Sequence, residues 1–126
     1  RDRALIEPAG VAICRNYDGE NFHHTVGAAV RCGSGAVYTG VNVYSIHGAC
    51  AEQVAIGSAT TNGERVLEAT AAVRGKDGSE LLPPCGNCRQ LLADYAPECE
   101  VILPVNGVAQ KVPAKDLLPF AYHAEA

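Results

Sequence analysis

Two short cysteine-containing segments limit what this chain can fold into more than any other feature of its sequence. Residues 49–56 read ACAEQVAI, and residues 83–90 read PPCGNCRQ. In each segment a cysteine stands where a helix is expected to begin, because helical spacing follows the first and a double proline precedes the second. The thiols of Cys50, Cys85 and Cys88 could therefore converge, provided that the fold brings two helix N-termini together.

Three segments have the spacing of apolar residues that is typical of helices. The first covers about residues 1–17, where Pro8 must either kink the helix or begin it. The second covers residues 49–61, and Asn62-Gly63 is a typical stop signal after it. The third begins at Cys85 and runs to about Tyr95.

Strand-like runs alternate with these helices. Residues 25–32 and 36–43 are rich in β-branched and small apolar residues, and Gly-Ser-Gly between them predicts a hairpin. Further strands are expected at residues 65–73 and 99–105, whereas residues 75–84 read as a loop. Strands that alternate with helices favour a layered α/β fold.

Length and charge exclude several classes of protein. The chain has 126 residues, enough to bury a core, so we expect a single domain over residues 1–126. The net charge of −4 and the scattered Lys and Arg form no basic stripe, so nucleic acid is not an expected partner. No membrane span is expected either, because glycine and polar residues interrupt the uncharged residues 33–50. The segment RDRALIEPAG does not resemble a signal peptide, which favours a cytoplasmic protein with reduced thiols.

The Cys85-x-x-Cys88 pair alone leaves several interpretations open. The same spacing occurs in thioredoxin-like redox proteins, in half of a zinc site and in disulfides. Cys50 favours a metal, because a helix N-terminus lowers the pKa of a thiol and three thiolates could converge. Three protein ligands on zinc leave one position for water, as in catalytic sites, whereas a fourth ligand such as His47 would make the site structural. Glu52 is placed to reach that water.

The combined pattern resembles a known family. CAE at residues 50–52 followed by PCGNC at residues 84–88 is similar to the zinc-deaminase signature in its all-cysteine form. The chain resembles the small cytidine deaminases, and among them the branch that acts on the nucleoside antibiotic blasticidin S. Further matches are TVGAAV at residues 25–30, TGVNVY at 39–44 and LLPF at 117–120.

The resemblance implies a fold and a reaction. The fold would be a three-layer α/β/α arrangement around a mixed sheet of about five strands. One Zn²⁺ per chain would be held by Cys50, Cys85 and Cys88, and Glu52 would carry protons while an activated water replaces the amino group of a cytosine ring. The products would be a uracil ring and ammonia.

The resemblance also implies contacts with the substrate. Asn42 would bind a sugar hydroxyl, the main-chain carbonyl of Pro84 would hold the exocyclic amine, and Ala51 would also contact the substrate. Phe120 matches an aromatic residue that packs near the base in assemblies of such enzymes, which often are homotetramers. We therefore expect a homotetramer.

Two positions depart from the pattern of the family. Many relatives have an arginine after the catalytic glutamate, but this chain has Gln53, so Arg89 is the candidate for offsetting the thiolate charge. Tyr44 stands where cytidine deaminases have a glutamate that holds the ribose. Because this removes a carboxylate, we expect a substrate such as blasticidin S, whose sugar bears a carboxylate, with cytidine or deoxycytidine as the alternative.

The remaining cysteines and histidines are expected to be structural. Free cysteine is commonly buried as a small apolar residue, and this is the role expected of Cys14, Cys32 and Cys99. His23 and His24 have no partner at metal spacing and are interpreted as solvated or packed.

Overall fold

The computed structural model describes residues 2–21, 23–120 and 122, and these residues form three α-helices, six strands and one 3₁₀ helix. The helices are α1 (Asp2–Asn16), α2 (Ala51–Thr61) and α3 (Gly86–Tyr95), and the 3₁₀ helix is Ala114–Leu117. The strands are β1 (Val26–Cys32), β2 (Val37–Val41), β3 (Leu67–Arg74), β4 (Glu80–Leu82), β5 (Glu100–Val105) and β6 (Val108–Pro113).

The strands form one mixed sheet. Its order is β2-β1-β3-β5-β6, and the short β4 lies beside β3 at the end of that strand. β3 and β5 are parallel, and every other pair is antiparallel. A parallel pair needs a crossover connection, which β4 and α3 supply. This crossover returns the chain across one face of the sheet and places the start of α3 near the start of α2.

Helices cover both faces of the sheet. Successive side chains of a strand point to opposite faces, and in β1 Ala28 and Val30 pack on one side while Ala29 packs on the other. The first side holds α2 and α3, through buried residues that include Ala55 and Leu92. The second side holds α1, through Leu5, Ala9 and Ile13. The three-layer α/β/α fold with a mixed sheet is thus confirmed, with the short β4 as a sixth strand.

Gly40 allows α2 to lie very close to β2. A Cβ atom at this position would stand 2.6 Å from the backbone nitrogen of Ala55 and 2.9 Å from the carbonyl oxygen of Ala51. No larger residue fits there without moving the helix. The first turn of α2 therefore owes its position to a glycine in the neighbouring strand.

The elements expected from the sequence are confirmed within two residues at each end. The Gly-Ser-Gly turn joins β1 to β2, and α2 ends at Asn62 with Gly63 in a left-handed conformation (φ 89°). Pro8 lies inside α1 rather than at its start. Arg1, which the expected first helix includes, lies outside the described residues.

Two strands were not expected. The segment interpreted wholly as a loop contains β4, a run of three residues too short to show a period. β6 was missed because four of its six residues are exposed, so it lacks the apolar alternation of a buried strand. Its turn did leave a signal, since Asn106 and Gly107 both have positive φ (52° and 80°) and Asn-Gly favours such hairpin turns.

One of the three structural cysteines was wrongly assigned. Cys32 and Cys99 are buried in the core as expected, but Cys14 is exposed on α1. Cys14 directly follows the buried Ile13, and neighbouring positions on a helix point in different directions. Within the described part of the chain, no helix is both long and apolar enough to cross a membrane.

Candidate active site

Three thiols meet where α2 and α3 begin. The Sγ atoms of Cys50 and Cys85 are 3.2 Å apart, those of Cys85 and Cys88 are 3.6 Å apart, and all three lie within 4.8 Å of one another. Sulfurs around a tetrahedral zinc with bonds of about 2.3 Å are about 3.8 Å apart, so the sulfurs of these two pairs lie slightly closer together than those of a zinc site. Among the described residues, this is the only group of three or more potential metal ligands so arranged.

Each of the two helices begins directly after a cysteine. Cys50 and Cys85 are the N-cap residues of α2 and α3, and both have extended backbones (ψ 156° and 172°). Cys88 lies in the first turn of α3 and is 1% exposed. At the start of α2, Cys50 and Gln53 cap each other. The backbone amide of Gln53 faces the thiol of Cys50. In return, the Gln53 side-chain oxygen accepts a hydrogen bond from the Cys50 amide at 2.8 Å.

The three thiols differ in their pKa. Burial, together with the Cys85 thiol, raises the pKa of Cys50 to about 11, and burial beside Glu52 raises the pKa of Cys88 well above its usual value. At Cys85 burial also raises the pKa, but hydrogen bonds from the Cys88 and Asn87 amides and from the neighbouring thiols outweigh it and lower the pKa. The lowering expected at each helix start is therefore found at Cys85 alone.

These pKa values describe a donor set that suits a cation. Charges on Cys85 and Glu52 oppose the ionisation of Cys50 and Cys88, because like charges at short range disfavour the charged form. A divalent cation between the sulfurs would reverse this balance, since metal ligation deprotonates thiols. Sulfur ligands in a roughly tetrahedral arrangement are typical of zinc sites. The residues present thus fit Zn²⁺.

Glu52 is a buried carboxyl group beside the thiols. It lies in the first turn of α2 and is 6% exposed. Burial raises its pKa, although hydrogen bonds with its own backbone amide and with the Cys88 thiol act in the opposite direction. A carboxyl group held in this way can exchange protons near neutral pH more readily than an exposed one.

A cleft of about 280 Å³ opens beside the thiols. Its lining joins the start of β1, the segment after β2, the first turn of α2 and the segment before α3. The lining residues are Val26, Asn42, Val43, Tyr44, Ser45, Gly48, Ala49, Cys50, Ala51, Glu52, Leu82, Pro83 and Cys85. Six of the residues singled out from the sequence, Asn42, Tyr44, Cys50, Ala51, Glu52 and Cys85, thus face one cavity.

Asn42 presents only a hydrogen-bond donor to the cleft. Its side-chain oxygen accepts hydrogen bonds from the backbone amides of Thr25 (2.7 Å) and Val26 (2.8 Å). Since backbone amides only donate, these bonds fix the orientation of the amide. The side-chain nitrogen has one long contact, 3.4 Å to the Thr25 hydroxyl. Asn42 can therefore act as a donor to a ligand, but its acceptor oxygen is already used.

The segment before β1 supports this wall of the cleft. His24 Nδ1 lies 2.8 Å from the main-chain oxygen of Asn42, so it must carry a proton and donate it. The main-chain oxygen of His23 accepts a hydrogen bond from the Tyr44 amide at 3.1 Å. Tyr44 itself is 65% exposed at the mouth of the cleft. His24 thus has a packed role, as expected.

Arg89 binds two main-chain carbonyls. Its Nε donates to the oxygen of Pro84 at 2.9 Å, and one terminal nitrogen donates to the oxygen of Leu117 at 3.2 Å. Pro84 is buried between two residues that line the cleft, Pro83 and Cys85. Arg89 therefore ties the segment before α3 to the 3₁₀ helix, and its effect on thiolate charge stays a prediction.

Two other residues singled out from the sequence stand apart. Phe120 is fully exposed, with a left-handed backbone (φ 56°), and it does not line the cleft of its own chain. Its contact with a base in a neighbouring copy stays a prediction. His47 is exposed and is not part of the thiol group, so the candidate site has three protein ligands among the residues that the structure describes.

Some residues of the site were not anticipated. Val26, Ser45, Leu82 and Pro83 line the cleft but carry no chemical signature in the sequence. Gln53 did have a signal, because a capping box pairs an N-cap residue with Glu or Gln three positions later. Its capping role was not anticipated, because the N-cap here is a cysteine rather than serine or threonine.

Comparisons with known proteins agree with this geometry. Residues 1–103 match the family model of the cytidine and deoxycytidylate deaminase zinc-binding region. The chain is 37% identical over 131 residues to blasticidin-S deaminase from Bacillus cereus, covering 97% of this chain and 92% of that protein. It is 37% identical over 106 residues to a cytidine deaminase from Halalkalibacterium halodurans, covering 79% and 78% of the two chains.

Solved structures show the same fold. A cytidine deaminase from Burkholderia pseudomallei matches with a TM-score of 0.77 and 34% identity, covering 97% of this chain and 99% of the other. One from Mycobacterium tuberculosis matches with a TM-score of 0.79 and 31% identity, covering 97% of each chain. On the family model, the identity over nearly the whole chain and the shared fold, this protein belongs to the cytidine and deoxycytidylate deaminase family of hydrolytic deaminases.

Proposed function

We propose that this deaminase holds one Zn²⁺ per chain through Cys50, Cys85 and Cys88 and removes the amino group from the cytosine ring of blasticidin S or a closely similar nucleoside. The observation that carries the proposal is the buried Glu52 carboxyl beside three converged thiols at a cleft. The thioredoxin-like alternative leaves Cys50 and Glu52 without a role. A structural zinc site would need a fourth protein ligand beside these thiols.

Glu52 would perform the proton transfers of this reaction. Zinc, when bound, supplies a Lewis acid that lowers the pKa of a water near the ring. Glu52 would take a proton from that water, pass it to N3 of the cytosine ring and later protonate the departing amine. The closed surroundings of Glu52 favour this role, because burial excludes competing solvent.

Main-chain and side-chain groups around the cleft would orient the ring and the sugar. The Ala51 backbone lines the cleft next to Glu52, and the Pro84 carbonyl is held by Arg89. A carbonyl oxygen has two lone pairs, so that of Pro84 could accept from both Arg89 and the exocyclic amine of the substrate. Asn42 can only donate, so the sugar group that it meets must accept a hydrogen bond.

Tyr44 supports blasticidin S as the preferred substrate. It lines the mouth of the cleft two residues after Asn42. The family resemblance implies that this is the position where cytidine deaminases have a glutamate. Among the described residues that line the cleft, Glu52 alone carries a carboxylate. A substrate that bears a carboxylate on its sugar would therefore meet hydrogen-bond donors on this side rather than a like charge.

The preference can be measured with two substrates and one variant. We expect a higher kcat/KM for blasticidin S than for cytidine. Each reaction is monitored by the decrease in ultraviolet absorbance as cytosine becomes uracil. Tyr44→Glu should shift the ratio towards cytidine, while Tyr44→Phe should leave the charge balance, and thus most of the ratio, unchanged. Specificity constants that favour cytidine in the unmodified protein would refute the substrate assignment.

Cytidine or deoxycytidine is the second candidate substrate. Relatives named as cytidine deaminases align over much of the chain, and the solved structures of cytidine deaminases share its fold. In that case Tyr44 would merely pack in the wall of the cleft. We further propose that the enzyme acts as a homotetramer in the cytoplasm, where thiols stay reduced. The fully exposed Phe120 ring suits contact with another copy of the chain.

A further inference from the structure

We propose that Gln53 is a positioning residue that holds the Cys50 sulfur in its metal-binding place through an uncharged capping box. The inference rests on the proposed zinc site and assigns Gln53 a part in it. Gln53 would act through Cys50 and would not touch the metal or the substrate. The residue occupies the place where many relatives have an arginine, so its contribution must be of a different kind.

The contacts of Gln53 support this role. Its side-chain oxygen accepts from the Cys50 amide at 2.8 Å, and its own backbone amide faces the Cys50 thiol. Together these two contacts set the backbone of Cys50 and the direction of its sulfur. An amide that faces a thiolate sulfur also stabilises the charged form, as outer contacts commonly do for metal ligands.

The uncharged character of Gln53 is the second part of the inference. Glutamate at this position would accept the same hydrogen bond from the Cys50 amide, as it does in ordinary capping boxes. It would, however, place a second carboxylate near three thiols that already share their surroundings with Glu52. Gln53 is half-buried and borders a groove with Ile56 and Leu91, so such a charge would be only partly screened by water.

Arg89 does not duplicate this function. Its two hydrogen bonds are made with the carbonyls of Pro84 and Leu117, on the α3 side of the site. Cys85 and Cys88 both belong to that side, since they lie at the start of α3. On the α2 side, the contacts of Gln53 are the ones that hold Cys50.

Three variants separate capping from charge. Gln53→Met removes the hydrogen-bond acceptor but keeps a side chain of similar length. Gln53→Glu keeps the acceptor but adds a negative charge. Gln90→Met is the same substitution as the first variant, made at a glutamine of α3. Gln90 is a matched control because its side chain bonds Asp94 and the Tyr122 carbonyl rather than the thiols. For each protein, zinc affinity is measured by competition with a chromophoric chelator, and unfolding temperature is measured without metal.

We expect Gln53→Met to weaken zinc binding by about 10–100-fold, the usual effect of losing a partner of a ligand. Gln53→Glu should also bind zinc more weakly than the unmodified protein, with a deficit that shrinks as salt rises. Gln90→Met should bind zinc normally. The near-ultraviolet sulfur-to-cobalt absorption of Co²⁺-loaded protein should change in the Gln53 variants alone.

Two results would overturn the inference. If both Gln53 variants bind zinc as tightly as the unmodified protein and differ only in unfolding temperature, Gln53 merely caps the helix. Should Gln53→Met fail to fold, Gln53→Glu still tests the uncharged character of the capping box, which normal zinc affinity in that variant would overturn. An unmodified protein that binds no zinc would instead refute the proposed function, and this inference would fall with it.

Discussion

Glu52 shows most clearly how single residues shape the chemistry of this site. Its carboxyl lies in the first turn of α2, almost wholly removed from water and beside the Cys88 thiol. Burial raises the pKa of this carboxyl. Its neighbour in sequence, Ala51, contributes only a main chain to the cleft. The chemistry of the site therefore depends both on which side chains it contains and on which of them are buried away from water.

Glu52→Gln should retain zinc and the fold but lose turnover by about 10²–10⁴-fold, the usual contribution of general acid–base catalysis. The amide has nearly the same shape as the carboxyl but cannot carry protons. Zinc content and kcat of the purified variant are the measurements. A variant that loses its zinc would show that Glu52 supports the metal site, and its assignment as proton carrier would be wrong.

Arg89 allows charge and hydrogen bonding to be separated. Arg89→Lys keeps the positive charge but cannot reproduce both carbonyl contacts, whereas Arg89→Gln keeps a donor and removes the charge. If Arg89 offsets thiolate charge, Arg89→Gln should weaken zinc binding more than Arg89→Lys does. Equal zinc affinities, with lower unfolding temperatures in both variants, would leave Arg89 with the structural role alone.

Two helix starts, α2 and α3, build the site at the level of elements. Each begins directly after a cysteine, and the crossover between β3 and β5 places the two starts side by side. Both helices pack on the same face of the sheet. The close approach of α2 to β2 fixes the height of Cys50 and Glu52 above the sheet, and this approach depends on the missing side chain of Gly40.

Gly40→Ala should destabilise the protein by about 1–3 kcal/mol, because the added methyl group meets backbone atoms of α2 that cannot turn aside. Gly57→Ala, a glycine-to-alanine change within α2 itself, is the control. A Cβ there has no neighbour within 4 Å, so it should stabilise the protein by about 0.5–1 kcal/mol through helix propensity. Denaturant unfolding measures both. No loss of stability in Gly40→Ala would show that the contact between β2 and α2 is more adaptable than the structure indicates.

The order of the helices and buried strands follows from local patterns, and so does the thiol group, because Cys50 and Cys85 each mark a helix start. β4 and β6 escaped prediction because β4 is too short to show a period and β6 is mostly exposed. The hydrogen bonds of Asn42 with Thr25 and Val26 could not be predicted either. Contacts between residues distant in sequence depend on the register of the sheet, which the apolar pattern leaves undetermined.

The whole molecule combines a sheet covered on both faces with a cleft at the junction of two helix starts. The chain belongs to a family of deaminases, and its thiols, its buried carboxyl and its cleft lie together as hydrolysis of a cytosine ring requires. Charge on the wall beside Tyr44 and Asn42 would then select among cytosine nucleosides. The proposed reaction requires a metal bound by the three thiols.

Stepwise addition of zinc to protein stripped of metal by a chelator measures that dependence directly. Deamination of the preferred cytosine nucleoside is followed by ultraviolet absorbance after each addition, and bound zinc is determined on the same samples. We expect activity to be lost on stripping, to return in proportion to bound zinc, and to reach its full value at about one zinc per chain. If the stripped protein deaminates at the full rate without bound zinc, the assignment of Cys50, Cys85 and Cys88 as ligands of a catalytic metal is contradicted.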